Sequence, residues 1–175
     1  MNKERKLNRL KKYDYSQPGN YYITICVHSE LRWKNVFGKI YDGKMELNEY
    51  GEIVLKQWLW VAERYKHIIL DEWVIMPDHF HAIVKIVHTE LENFIVGTGR
   101  DLSLRKYKPL SQIIGAFKTT TSKMIHINGY NNFTWQRSYY DHIIRNNNAL
   151  LQIRKYIINN PVNGERKYTN RKTNT

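Results

Sequence analysis

The chain has 175 residues and sets 28 Lys and Arg against 16 Asp and Glu, a formal charge of +12. That length fits one domain with a core of its own, and 42% hydrophobic residues with 13 Tyr and 5 Trp exclude a chain that is disordered throughout. A lone cysteine, Cys26, excludes a disulfide framework and a cysteine-based zinc module, and no stretch approaches the roughly 18 apolar residues of a membrane span.

The positive charge is concentrated at two ends. Residues 1–13 place Lys3, Arg5, Lys6, Arg9, Lys11 and Lys12 against Glu4, a net +5. Residues 154–175 place Arg154, Lys155, Arg166, Lys167, Arg171 and Lys172 against Glu165, again +5, which leaves only +2 for the body between. Two basic arms on a nearly neutral body point to a polyanionic partner, most simply nucleic acid. Met1 to Lys12 lacks the apolar core of a secretory signal, so the expected location is the cytoplasm, with no membrane partner.

In chain order, Tyr21 to Val27 is β-branched and aromatic and predicts a strand. Phe37 to Tyr41 and Lys44 to Leu47 flank Asp42-Gly43, a tight-hairpin signal. Glu52 to Tyr65 predicts a helix, with Val54, Trp58, Val61 and Tyr65 at helical spacing. Ile68 to Met76 and His79 to Val87 predict a hairpin turned at Pro77-Asp78. Thr89 to Lys108 has no period and reads as a long loop. Leu110, Ile113, Ile114, Phe117, Thr121, Met124 and Ile125 mark a second amphipathic helix, ended by Asn128-Gly129. Ser138 to Arg145 predicts a strand, and Asn147 to Asn159 a last helix stopped before Pro161. Hairpins interleaved with helices predict an α+β fold, one antiparallel sheet with helices against it.

His79-Phe80-His81 lies on the strand leaving the turn. Alternation puts both imidazoles on one face, where they can share a metal ion, and turns Phe80 to the other face and a core. The histidine face continues at Ile83, so an apolar element must cover it, and the last helix is the candidate. There Leu150, Ile153 and Ile157 form the packing stripe, with Tyr156 and Asn160 on its margin, four residues apart. Each pattern alone also fits ordinary structural positions.

The combination resembles the HUH single-tyrosine transposases, most of all the REP-associated branch. The resemblance starts at Tyr21-Tyr22-Ile23-Thr24 and runs through Asp71-Glu72-Trp73-Val74-Ile75-Met76-Pro77-Asp78-His79-Phe80-His81. It continues at Phe117-Lys118, Trp135-Gln136-Arg137 and Tyr140-Asp141-His142-Ile143-Ile144-Arg145, and closes with Ile153-Arg154-Lys155-Tyr156-Ile157-Ile158-Asn159-Asn160-Pro161. It implies a ferredoxin-like (RRM-like) antiparallel sheet with packed helices and a C-terminal helix that carries the tyrosine. The domain would span residues 13–164, between a basic arm at 1–12 and a basic tail at 165–175. It also implies metal ligation by His79 and His81, a nucleophilic Tyr156, and a third ligand at Asn160, where relatives often have a glutamine.

The implied reaction cleaves and rejoins single-stranded or hairpin DNA at palindromic sites through a covalent 5′-phosphotyrosine. Two imidazoles and an amide oxygen suit Mn²⁺ or a softer ion, so the expected cofactor is Mg²⁺ or Mn²⁺. Lys11, Lys12, Lys118, Lys123, Arg154, Lys155, Arg166 and Lys167 are the candidate phosphate contacts. Tyr139 and Tyr140 are rival nucleophiles on a strand. A homodimer is open, as is whether Tyr156 serves its own chain's histidines. The competing functions are a non-catalytic nucleic-acid-binding protein of the same fold and a phosphodiesterase that uses water.

Overall fold

The computed structural model describes residues 10, 13–88 and 107–172. Strand β1 (Gly19–Cys26) is followed by a 3₁₀ turn at Ser29–Leu31, then the hairpin β2 (Gly38–Tyr41) and β3 (Lys44–Leu47). Helix α1 (Glu49–Arg64) leads to the hairpin of β4 (Ile68–Met76) and β5 (His79–Ile86). Helix α2 (Leu110–Ile127), strand β6 (Tyr140–Ile144), helix α3 (Asn147–Ile158) and helix α4 (Asn160–Lys172) complete the chain.

The main sheet runs β4-β5-β1-β6 and every pairing in it is antiparallel. Setting aside the β2-β3 hairpin, the order is the ferredoxin-like arrangement that was expected. That hairpin forms a separate two-stranded sheet. Gly38 opens it at φ +134, and a Cβ there would fall 2.0 Å from the Glu46 carbonyl oxygen, so only glycine fits.

Alternation along the central strands divides the apolar mass between two faces. Tyr21, Ile23 and Ile25 of β1, with Phe80, Ala82, Val84 and Ile86 of β5, are buried on one face. There they meet Trp58 of α1 and Phe117 of α2, with the Trp58 ring 4.8 Å from Phe80 and 5.2 Å from Phe117. The opposite face carries a smaller cluster of Ile83, Ile144 and Ile157, edged by Leu150 and Ile153. Thus α3 covers the histidine face through its expected stripe.

Two local expectations change, and one lies outside the described residues. Helix α1 begins at Glu49 because Asn48 caps it, accepting from the amides of Tyr50 and Gly51. Residues 89–106 of the expected loop lie outside the described residues. The helix expected over Asn147 to Asn159 is α3 and ends at Ile158, but Pro161 does not end helical structure. It sits in the first turn of α4, where its missing N–H costs no hydrogen bond.

Candidate active site

Register brings the site together before any side chain is considered. Thr24 lies opposite His81, and Cys26 opposite His79, in the β1-β5 ladder. The His79 and His81 rings stand 4.7 Å apart, nearly perpendicular. Phe80 between them is fully buried on the other face.

Each histidine is held through Nδ1. His79 Nδ1 lies 2.7 Å from Asp78 Oδ1. Asp78 is completely buried, yet its pKa is lowered: burial alone would raise it, but hydrogen bonds from His79, Tyr168 and the Trp33 amide outweigh that. A carboxylate only accepts, so Nδ1 carries a proton, and in the neutral ring Nε2 keeps an open lone pair. His81 Nδ1 meets the Tyr22 hydroxyl at 2.7 Å and Thr24 Oγ1 at 2.8 Å. With Nδ1 protonated and donating to these oxygens, its Nε2 would be open too. Burial, the adjacent His79 and Arg32 push His81 down to about 3, so its imidazole is neutral, as a metal ligand must be.

Tyr156 approaches from α3. Its ring is 5.5 Å from His81 and 6.3 Å from Tyr22. The residue is half-exposed. Below it Ile157 is fully buried, and behind it Arg154 makes a two-pronged contact with Asp71 of β4, at 2.8 and 2.5 Å. Asn146 caps the start of α3 by accepting from the Ala149 amide. These anchors set the rotation of the helix. Of the rival tyrosines, Tyr139 is buried in the main core, whereas Tyr140 is half-exposed with its ring 6.4 Å from Tyr22. Tyr156 has a direct ring contact with His81.

Asn160 is buried at the first residue of α4, one turn beyond Tyr156. Among the described residues, no group of three or more His, Cys, Asp or Glu gathers for a metal ion. A metal at this site would draw on two imidazole nitrogens, completed by an amide oxygen or water. With both rings neutral and protonated at Nδ1, the two Nε2 atoms on this face, each ring held from behind, would fit a divalent ion.

The basic residues divide. Arg154 is engaged by Asp71, and Lys118 Nζ donates to the carbonyls of Gln136 and Arg137 at 2.6 and 3.1 Å. Lys155 is exposed on α3. Lys118 and Lys123 line a cleft of about 640 Å³ with Ser122, His126 and Trp135. The cleft lies on α2, which packs on the sheet face opposite the histidines. Arg166 and Lys167 fall within α4, while Lys11 and Lys12 lie outside the described residues.

Tyr168 went unnoticed in the sequence, and Tyr22, Thr24 and Asp78 were quoted without a role at the site. Asp78 read as a turn residue, and only the cross-strand register and the docking of α4 reveal the contacts.

No protein-family model matches the chain. A Haemophilus influenzae protein, described only as uncharacterized, is 35% identical over 158 residues, covering 88% of this chain and 86% of its own. Among solved structures, a REP-associated tyrosine transposase bound to a REP hairpin superposes with a TM-score of 0.60 at 19% identity, covering 89% of this chain and 73% of that one. Among the described residues, no helix is long and apolar enough to cross a membrane.

Proposed function

We propose that this chain, which belongs to one family with the Haemophilus influenzae protein and has the fold of a REP-associated tyrosine transposase, cleaves and rejoins hairpin-forming single-stranded DNA through Tyr156. The observation that carries this is the 5.5 Å approach of the Tyr156 ring to His81, on the face that also holds His79. A structural tyrosine needs no such neighbour, and a half-exposed one beside a histidine pair supports a role in meeting a DNA phosphate.

The Tyr156 oxygen attacks phosphorus and loses its proton to solvent, which reaches this half-exposed side chain. A new O–P bond forms as the bond to the 3′-oxygen breaks, and that oxygen leaves as a 3′-hydroxyl after taking up a proton. The 5′-phosphate stays on tyrosine, so the energy of the broken diester is kept for rejoining. Attack by a 3′-hydroxyl of another strand reverses the step and frees Tyr156.

His79, His81 and Asn160 would hold a divalent cation, Mg²⁺ or Mn²⁺, which when bound offsets negative charge on the phosphate oxygens. Tyr22 and Thr24 keep the His81 ring fixed, and Asp78 does so for His79. Phosphate contacts fall to Lys155 and the basic arms, because Arg154 and Lys118 are already engaged.

Incubation with a hairpin oligonucleotide bearing a single-stranded flank, with Mn²⁺ or Mg²⁺, tests the reading. The expected product is a protein–DNA species that survives denaturation and is lost with a chelator. Release of cut DNA without that species would assign hydrolysis by water, and salt-sensitive binding with no cleavage in either metal would assign a binding protein.

A further inference from the structure

The Asp78 carboxylate, wholly buried, gathers donors from three separate parts of the chain. Oδ1 accepts from His79 Nδ1 at 2.7 Å and from the Tyr168 hydroxyl at 2.5 Å. Oδ2 accepts from the Trp33 amide at 2.7 Å and faces Arg32 Nε at 3.2 Å. Trp33 holds φ +66, a left-handed conformation that a bulky aromatic residue rarely adopts. That conformation accompanies an amide aimed at Asp78, and the Trp33 ring packs 5.4 Å from Tyr168. Backbone strain at such a position is kept only where the surroundings enforce it.

We infer that Asp78 is a positioning residue for His79, and that Tyr168 of α4, Arg32 and the strained Trp33 lock it in place. This rests on the reading of His79 as a metal ligand. The same helix starts with Asn160, the candidate third ligand, so α4 would carry both that residue and the phenol behind the histidine. Docking of α4 and occupancy of the metal site are then linked, each favouring the other. The basic residues after 164 thus belong to an element that reaches the site through Tyr168.

Ring-nitrogen NMR on the full-length, metal-free chain decides the inference without any DNA. His79 is expected in the Nδ1–H form, and Asp78→Asn or Tyr168→Phe is expected to shift it toward a mixture with Nε2–H. Manganese titration of the same proteins should show affinity falling about 10- to 100-fold for Asp78→Asn, and less for Tyr168→Phe, which keeps the ring. An Nε2–H His79 in the unmodified chain, or unchanged manganese affinity in either variant with an intact fold by circular dichroism, overturns it. Should Asp78→Asn not fold, the unmodified chain and Tyr168→Phe still decide. Failure to form a covalent DNA species would overturn the proposed function and leave the histidine result standing.

Discussion

The placement of Tyr156 depends on the small cluster beneath α3, and Ile157→Ala tests that dependence quantitatively. Ile157 is fully buried against Ile83 and Ile144. The substitution removes three carbons, worth roughly 2.4 kcal/mol at about 0.8 kcal/mol each. A cavity cost adds to this, but Leu150 and Ile153 are only partly buried and can close over the gap. The expected loss is about 2–3 kcal/mol, toward the low end for such truncations. Urea unfolding followed by tryptophan fluorescence reads it as a lower midpoint at unchanged slope. Leu151→Ala is the control: 52% exposed on the same helix, it should change stability by no more than about 0.5 kcal/mol. A loss below about 1 kcal/mol for Ile157→Ala, or equal losses for the two, would refute the packing of α3 described above.

Two further outcomes follow from charge. The Arg154 hydrogen bond is the main cause holding Asp71 below the ordinary carboxylate range, against partial burial and with help from the Glu72 amide. A depressed folded-state pKa stabilises the fold fully above the unfolded value of about 3.9 and ceases to do so as pH falls through the folded one. Asp71→Asn should therefore cost at most about 1 kcal/mol at pH 7, discounted because Arg154 is 37% exposed, and progressively less as pH falls through the folded-state pKa. Urea midpoints across that range check it, and a deficit that persists undiminished in acid would refute it. Removing residues 1–12 deletes six cations, so the salt dependence of hairpin binding by fluorescence anisotropy should flatten by roughly four in log–log slope, while manganese affinity stays unchanged. An unchanged slope would take the arm out of the interface.

The sheet and the pair of helices on its main face were legible because period-2 and period-3.6 patterns are local properties. His79-Phe80-His81 shows this best: alternation alone put Phe80 into the Trp58–Phe117 core and left both imidazoles together. The stripe of Leu150, Ile153 and Ile157 likewise found the helix that covers them. What failed was non-local. Asp78 is contacted by Arg32, Trp33 and Tyr168, and no spacing rule links residues so far apart. Pairing of Thr24 with His81 required the register of β1 on β5. Helix α4 is so polar that it has no apolar stripe to detect, and Pro161 was read as a stop although it serves equally as a start.

The nucleophile is tested most directly by mapping the covalent link. The hairpin oligonucleotide is trapped on the protein with Mn²⁺, the complex is digested, and the DNA-bearing peptide is sequenced by mass spectrometry. The expected peptide spans Lys155 to Asn160 with a nucleotide phosphate on Tyr156, and Tyr156→Phe yields none. Attachment at Tyr140 or any other residue, or an adduct that persists in Tyr156→Phe, would contradict the assignment of Tyr156 as the strand-transferring residue.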